Sequence, residues 1–397
     1  MVQPSRDRIL VTHAGSLPRP DALRKLHVRR SRGEPIAPKQ IDKAAHAALR
    51  EVIAKQAGAG LDLISDGEQS RESFVMYVRY RLSGLGSKGT RLDLADIDKY
   101  PQFKQALKQQ EAASKEAVSN RAFIPKAIGD IEYIGMAEIE KECSDFSEAL
   151  QEIRPKYVDS FLTAASPGIV AAIIQNEHYN TDEAYLNALG SALRHEYETI
   201  VGRGFLLQID CPDLALERHC SYRHRPLSEF LHFCELVVAA INNALLNVPR
   251  NRVRLHVCWG NYEGPHDLDV PLREILPIIR QANVGAFVLP FANPRHAHEY
   301  RCFESLPLAD DQYLVAGVID SVTNFIEHPE VVAERLERVA RVIGDPCRIM
   351  AGTDCGFGTA AGMGRVTEDV MWAKMKTMKE GARIASERLI GLCHGDK

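Results

Sequence analysis

Eight short apolar runs, each followed by a stretch of helical periodicity, set the strongest limit on how this chain of 397 residues can fold. The runs fall at 9–14, 61–65, 158–164, 204–209, 252–258, 285–290, 313–319 and 347–351. Strands that alternate with helices pair in parallel, and eight of them favour a barrel closed on itself over an open sheet. The expected fold is therefore an α/β, TIM-type (β/α)8 barrel, with residues 1–397 forming a single catalytic domain.

The helices between the runs are well marked. Apolar residues return at intervals of three and four from Ile41 to Gln56, the stretch Pro226 to Leu246 is long and strongly apolar, and Pro329 to Val342 keeps a charged outer face. Pro20, Pro271 and Pro329 stand where helices should begin, since a missing N–H costs nothing there. The rhythm breaks between 83 and 152. That polar excursion contains a Lys/Gln/Glu-rich helix from Phe103 to Ala117, then two candidate hairpin strands, AFIPKAIG and IEYIG. It is expected as an insertion on the second βα loop that covers the active face, the alternative being a ninth, irregular element elsewhere.

Acidic and basic residues nearly balance, with a formal charge of -4, so neither a nucleic-acid groove nor an anionic membrane surface is expected as a partner. The N-terminal stretch lacks the apolar core of a secretory signal, and no uncharged apolar run approaches the roughly 18 residues of a membrane span. The nine cysteines (143, 211, 220, 234, 258, 302, 347, 355 and 393) are odd in number and scattered. This usage fits a reducing cytoplasm, with a few thiols holding metal and the rest packed as small hydrophobes.

In a βα barrel the strand C-terminal ends build the site. Here those ends carry His13 and Ser16; Asp66, Gly67 and Glu68; Ser166; Asp210; His256, Cys258 and Asn261; Asn293 and Arg295; Asp320; and Asp354 with Cys355. His256 and Cys258 are two apart on an extended run, so both point one way while Val257 faces the helices. Cys355 follows the last run, in GTDCGFGT. One imidazole and two thiolates suit Zn²⁺ and leave a fourth position for water or substrate. The other cysteines read differently. Cys347 and Cys234 are expected in the core and Cys211 beside the site, whereas Cys143, Cys220, Cys302 and Cys393 show no metal spacing. His219, His296 and His298 read as solvated or helix-capping.

Two thiolates on zinc weaken it as a Lewis acid but leave a third, substrate thiolate nucleophilic, which favours alkylation of sulfur over hydrolysis. Glu68 or Asp210 could serve as the base that hydrolysis needs. Equally they could clamp an ammonium group, or simply cap helices, and Ser16 could donate to a substrate carboxylate. Asp354, Asp320, Tyr77 and His13 are the candidates to protonate a leaving group.

At these positions the chain resembles the cobalamin-independent methionine synthase family, in its C-terminal catalytic barrel and its short single-barrel relatives. The resemblance runs through THAGSLPRP at 12–20, ISDGEQSR at 64–71, TAASPG at 163–168, LQIDCPDLA at 207–215, HVC at 256–258, FANPRHAHE at 291–299, GVID at 317–320 and TDCGFGT at 353–359. It implies a TIM barrel with catalytic zinc and transfer of a methyl group to a thiol. It places His256, Cys258 and Cys355 on the metal ligands, and Ser16, Glu68 and Asp210 on residues that hold the amino-acid end of homocysteine.

The departures are specific. Pro290 stands where the family carries a glutamate as fourth ligand, VIDSVTNF lacks the family's histidine after the seventh strand, and the N-terminal half of full-length synthases has no counterpart here. Epoxyalkane:coenzyme M transferases, in the same superfamily, use a His-x-Cys pair with a later Cys and open an epoxide, so that chemistry is the second expectation. A non-catalytic metal- or thiol-binding barrel is the third. The expected partners are a small-molecule thiol and an alkyl donor, with self-association left open.

Overall fold

The computed structural model describes residues 7–91, 94–113, 117–118 and 124–390. Eight parallel strands form one sheet: β1 (Leu10–Val11), β2 (Leu63–Ser65), β3 (Asp159–Ala165), β4 (Leu206–Asp210), β5 (Val253–His256), β6 (Ala286–Pro290), β7 (Tyr313–Ile319) and β8 (Ile349–Thr353). Their order is β1-β8-β7-β6-β5-β4-β3-β2, so the chain runs once around a ring. The seam between β1 and β2 is narrow but joined. Asp62 N–H donates to the Val11 carbonyl (2.8 Å), and the Asp62 carboxylate accepts from Val11 N–H (2.9 Å). The fold is thus the expected eight-stranded α/β barrel, close to fully closed, with an excursion between β2 and β3.

Period-two alternation sorts each strand into two faces. Leu10, Leu63, Phe161, Leu206, Val288, Val315 and Met350 form a separate apolar cluster that plugs the inside of the barrel. The intervening residues, such as Leu162, Leu207, Leu255 and Phe287, join the larger core against the helices. Above the plug the inward positions turn polar: Thr163 on β3, Gln208 on β4 and Arg254 on β5 are all buried. Arg254 lies with its guanidinium 3.6 Å above the Phe161 ring and donates to Thr12 Oγ1 and the His13 carbonyl. Burial pushes it down to about 9, against the pull of Asp210 and Asp159.

Several expected boundaries move, each for a local reason. The last strand starts at Ile349 rather than 347, because Asp345 caps a short 3₁₀ turn, Pro346–Arg348, by accepting from Cys347 N–H. The fifth strand ends at His256, so Cys258 sits in the loop beyond it. Pro329 occupies the first helical turn with His328 capping, whereas Pro20, Pro226 and Pro271 each stand one residue ahead of their helices.

The excursion also differs from expectation. AFIPKAIG and IEYIG do not form a hairpin with each other among the described residues. Lys126–Ala127 pairs antiparallel with Leu85–Gly86 and parallel with Gln175–Asn176, while Tyr133 bridges to Leu82. The earlier stretch 82–86 outcompetes the hairpin because it offers its edge to both segments. A helix spans Pro101–Ala113; residues 114–116 of the expected Phe103–Ala117 helix, and 122–123 of AFIPKAIG, lie outside the described residues, as does Cys393. Within 83–152 the helix Met136–Ile153 packs against Pro38–Gly58 and Asp182–Gly202, and so takes the place of the barrel helix after β2.

No helix among the described residues is long and apolar enough to cross a membrane, and the eight described cysteines are all free thiols.

One buried ion pair supports the β7 loop. Lys374 Nζ donates to Glu327 Oε2 (2.9 Å), and Glu327 Oε1 accepts from Asp320 N–H (2.8 Å), with both side chains fully enclosed. Removing one partner strands the other charge. Glu327→Ala should lower stability by about 3–5 kcal/mol, while Glu327→Gln paired with Lys374→Met should recover most of that loss. Denaturant unfolding of the two proteins checks it; equal midpoints would show that the pair carries no such stake.

Candidate active site

The site begins with the register of β4 and β5, which sets Asp210 directly beside His256. Both side chains point inward above Gln208 and Arg254. Asp210 Oδ1 lies 3.0 Å from His256 Nδ1 and also accepts from Gln208 Nε2 at 2.7 Å. A carboxylate on Nδ1 holds a proton there, so a cation that displaced the Nε2 proton would meet a lone pair, the usual arrangement behind a metal-ligating imidazole. Burial pushes His256 down, but Cys258 and Asp210 outweigh it and raise it to about 10.

Cys258 and Cys355 come from the loops after β5 and β8. Their sulfurs are 3.9 Å apart, and the donor atoms of His256, Cys258 and Cys355 all lie within 4.8 Å of one another. Two sulfurs held about 2.3 Å from one tetrahedral ion would sit about 3.8 Å apart, so this spacing suits zinc without rearrangement. The hydrogen bond between the two sulfurs, with His256 adding to it, holds Cys258 well below the ordinary thiol range despite its burial. All three residues are buried. Pro290, at the end of β6, faces the two cysteines across a cavity of about 30 Å³ and offers no donor atom. His256, Cys258 and Cys355 therefore form a potential metal-binding group of three donor atoms.

Next to the small cavity, and sharing Cys258, Cys355, Asn261 and Tyr262 with it, lies a larger cavity of about 210 Å³, lined also by Ser16, Arg91 and Asp210 together with apolar Phe74, Leu94, Ile169 and Met363. Ser16 reaches it because Gly356 has no side chain: a Cβ there would come within 2.0 Å of Ser16 Oγ. Asn261 ties the loops together, donating to the Gly356 carbonyl (2.7 Å) and accepting from Ser321 Oγ (3.0 Å).

Glu68 lies beneath this wall in a left-handed backbone conformation (φ 55°), a strained choice for a residue with a side chain. Asp66 Oδ1 holds the turn by accepting from Glu68 N–H. Glu68 Oε1 accepts from Thr163 Oγ1 (3.0 Å), whereas Oε2 is buried without a hydrogen bond and 3.8 Å from Arg19. Burial and then the neighbouring Asp210 push its carboxyl up to about 8, with Arg19 opposing. Ser16 and Asp210 line the larger cavity, whereas Glu68 lines neither cavity and lies buried behind them, close enough for the Asp210 carboxylate to act on it.

The four candidate proton donors separate. Asp354 and Asp320 line the small cavity beside Cys258 and Cys355. Asp354 is committed to structure: its two oxygens accept from the N–H groups of Phe291, Ala292 and Asn293 at 2.7–3.0 Å. Burial still raises it to about 7. Asp320 Oδ1 accepts from the N–H groups of Val322 and Thr323 and from Thr323 Oγ1.

His13 and Tyr77 line neither cavity. His13 Nδ1 accepts from Gly15 N–H and Nε2 faces Gln56 Oε1, and burial with Arg254 pushes it down to about 3, so it braces the β1 loop. Tyr77 donates to buried Glu196 (2.5 Å) and is sandwiched by Arg71 and Arg81, an internal ionic network. Both residues follow strand ends but turn into packing, which their position along the chain does not disclose.

Residues with no sequence reading also shape the site. Arg91 reaches the larger cavity with Nη2 on Glu217 (2.6 Å) and Nη1 making no hydrogen bond. Arg254 was detectable, since RVRLHVC puts 254, 256 and 258 on one face. His219 and His296, expected to be solvated or helix-capping, are instead buried, and with His266 and Asp269 they form a cluster next to the small cavity. No spacing rule joins them, because they come from three different loops.

Glu68 gives a pH signature. Its folded carboxyl titrates near 8, above its unfolded value, so its stabilising contribution is complete below about pH 4.5 and is lost as pH rises through about 8. In chelator-treated protein, Glu68→Gln should therefore gain stability relative to the parent between pH 5 and 8. Unfolding curves that differ by a constant across that range would rule out the buried, protonated carboxyl.

Residues 9–383 match the family model for the catalytic domain of the cobalamin-independent synthases. A methionine synthase of Saccharolobus islandicus is 23% identical over 381 residues, covering 95% of both chains. One from Sulfurisphaera tokodaii is 23% identical over 380 residues, covering 95% of this chain and 93% of its own. Among solved structures, a B12-independent methionine synthase from Shewanella sp. W3-18-1, in complex with selenomethionine, superposes with a TM-score of 0.68 at 19% identity, covering 97% of this chain and 99% of its own. The chain that builds this thiol- and carboxylate-lined barrel mouth belongs to the cobalamin-independent methionine synthase family, in its catalytic-domain branch.

Proposed function

We propose that the protein transfers an alkyl group, methyl foremost, from a small-molecule donor to the thiol of an amino-acid substrate, with zinc held by His256, Cys258 and Cys355. The observation that carries this reading is the convergence of one imidazole and two thiols, sulfurs 3.9 Å apart, at the floor of a cavity that Ser16 and Asp210 also line. The family supports it as the class of reaction.

When bound, zinc would supply a Lewis acid that lowers the pKa of a substrate thiol and keeps its sulfur nucleophilic at neutral pH. The protein's own residues do the rest. Asp210 holds His256 in the tautomer that presents Nε2, and the free side left by Pro290 admits the substrate sulfur. The unpartnered Oε2 of Glu68, with Asp210, is suited to an ammonium group, whose positive charge would draw Glu68 back to its ionised form. Ser16 is placed for the substrate carboxylate. Holding the amino-acid end fixes the sulfur in line with a donor carbon in the apolar part of the cavity, which is where orientation lowers the barrier.

The leaving group must gain a proton as the carbon–donor bond breaks. With His13 and Tyr77 turned into packing and both oxygens of Asp354 taken up by backbone N–H groups, Asp320, whose three donors all fall on Oδ1, is the carboxyl with an oxygen left for that role on the small-cavity side.

A second reading, in which the thiol carries a sulfonate and opens an epoxide as in the coenzyme M transferases, has one observation in its favour. Arg91 presents an Nη1 without a hydrogen bond at the cavity wall, a fit for an anionic head group.

Cobalt-substituted protein separates the readings, because sulfur ligation produces an intense charge-transfer absorption. Homocysteine should intensify that band saturably while coenzyme M should not; the reverse order would favour the epoxide chemistry, and no change with any thiol would sink both. Cys258→Ser and Cys355→Ser should each lose zinc after dialysis with the circular dichroism of the barrel intact. Asp320→Asn should lower turnover about 10²-fold and flatten one limb of the pH profile, with metal content unchanged. An unaltered profile removes Asp320 from the mechanism.

A further inference from the structure

A second group of metal-type side chains lies on the far side of the small cavity from the thiol pair. His266 Nδ1 and His296 Nε2 both face Asp269 Oδ2, at 2.8 and 2.7 Å. Their other nitrogens also face acceptors: His266 Nε2 the Tyr262 carbonyl at 3.0 Å, and His296 Nδ1 Glu299 Oε2 at 2.9 Å. A neutral imidazole has only one N–H. Two neutral rings can thus donate in only two of these four contacts; if both donate to Asp269, the other two nitrogens point lone pairs at the Tyr262 carbonyl and the Glu299 carboxylate. Either two extra protons or one cation must fill that gap.

A third histidine decides between them. His219 Nδ1 lies 3.2 Å from Asp269 Oδ1, yet neither atom makes a hydrogen bond, and both side chains are almost fully enclosed. Protons on His266 and His296 leave this orphaned donor–acceptor pair unsatisfied. An ion among the three rings and the carboxylate uses both atoms. Each ring is also held from behind, His266 by a backbone carbonyl, His296 by Glu299, and His219 by the Tyr262 hydroxyl, 3.3 Å from its Nε2. Such outer partners orient metal-ligating imidazoles and raise their basicity.

We propose that His219, His266, Asp269 and His296 form a second, structural binding site for a divalent metal ion of the zinc class. The ligand atoms of His266, Asp269 and His296 already lie within 4.8 Å of one another. Three imidazoles and one carboxylate give four protein donors, which closes the coordination of a tetrahedral ion and leaves no place for substrate. The site sits where it can stiffen the loop that carries Cys258. Trp259 stacks on His296 at 3.9 Å, and Asp96, from the excursion between β2 and β3, accepts from His266 N–H (3.0 Å) and Tyr262 O–H (2.6 Å). The ion would fasten the loop after β5 to the loops after β4 and β6, with the excursion docked on top. This site stands independently of the chemistry assigned to the thiol pair.

The test uses the full chain and zinc alone. The parent should retain two zinc ions per chain after exhaustive dialysis, and the double variant Cys258→Ser/Cys355→Ser should retain one. Cobalt in that double variant should give ligand-field absorption without a sulfur charge-transfer band, which marks the site as separate from the thiolate one. Adding His266→Ala should abolish the remaining ion. Glu299→Gln, which keeps all four ligands, should weaken zinc binding about 10- to 100-fold, so the assignment can be read even where His266→Ala fails to fold. A folded double variant that holds no zinc overturns the proposal, as does one whose remaining ion is indifferent to His266→Ala and Glu299→Gln. In either case the protonated His–Asp–His arrangement stands, whatever becomes of the thiol site.

Discussion

The short contact between Asp210 and His256 is the interaction on which the site depends. It exists because β4 and β5 are parallel and in register, so the last inward residue of one strand meets the last inward residue of the next. The same contact fixes the imidazole's tautomer and turns Nε2 toward the loops, where Cys258 and Cys355 arrive. Below it the barrel interior is filled: an apolar plug first, then Gln208 and Arg254, whose hydrogen bonds to the β1 end hold strands that do not pair directly. A packed interior of this kind cannot yield under the site, so the donor atoms keep their spacing.

Much of this was legible in the sequence because it follows from periodicity. The eight runs, the shared face of His256 and Cys258, and the gathering of polar residues past strand ends all reflect a two-residue repeat and the direction of parallel strands. What was not legible depends on where a side chain turns after its strand ends. His13 and Ser16 are three residues apart on one loop, yet Ser16 lines the cavity and His13 folds back onto Gln56. Tyr77 lies on a 3₁₀ turn whose hydrogen-bond partner, Glu196, comes from a distant helix, while Arg71 and Arg81 from the same stretch of chain pack on its ring. The His219–His266–His296 cluster escaped for the same reason: proximity there is made by three loops meeting, which leaves no mark in spacing.

Pro290 illustrates how a single residue redirects a site without disturbing the fold. It ends β6 in register with Gly317 of β7, and the three N–H groups that follow it, from Phe291 to Asn293, are all taken by Asp354. The loop is therefore as well fixed as a ligand-bearing one, while the space a carboxylate ligand could fill stays open.

The ionic cluster around Glu142 and Glu196 ties together the two ends of the excursion. Arg71 and Arg81 lie just after β2, and Glu142 lies on the helix that returns the chain to the barrel; Arg71 pairs with Glu142 (2.8 Å), and Arg81 with both Glu142 (2.6 Å) and Glu196 (3.0 Å). A clasp at the neck makes whatever hangs beyond it a separate matter for the barrel. Closing a loop costs little more as it lengthens, so the hanging portion is free to lengthen, shorten or change character while the strands keep their places. Lineages sharing this barrel could in that way exchange one roof for another while the floor, with its imidazole and two thiols, stays the same.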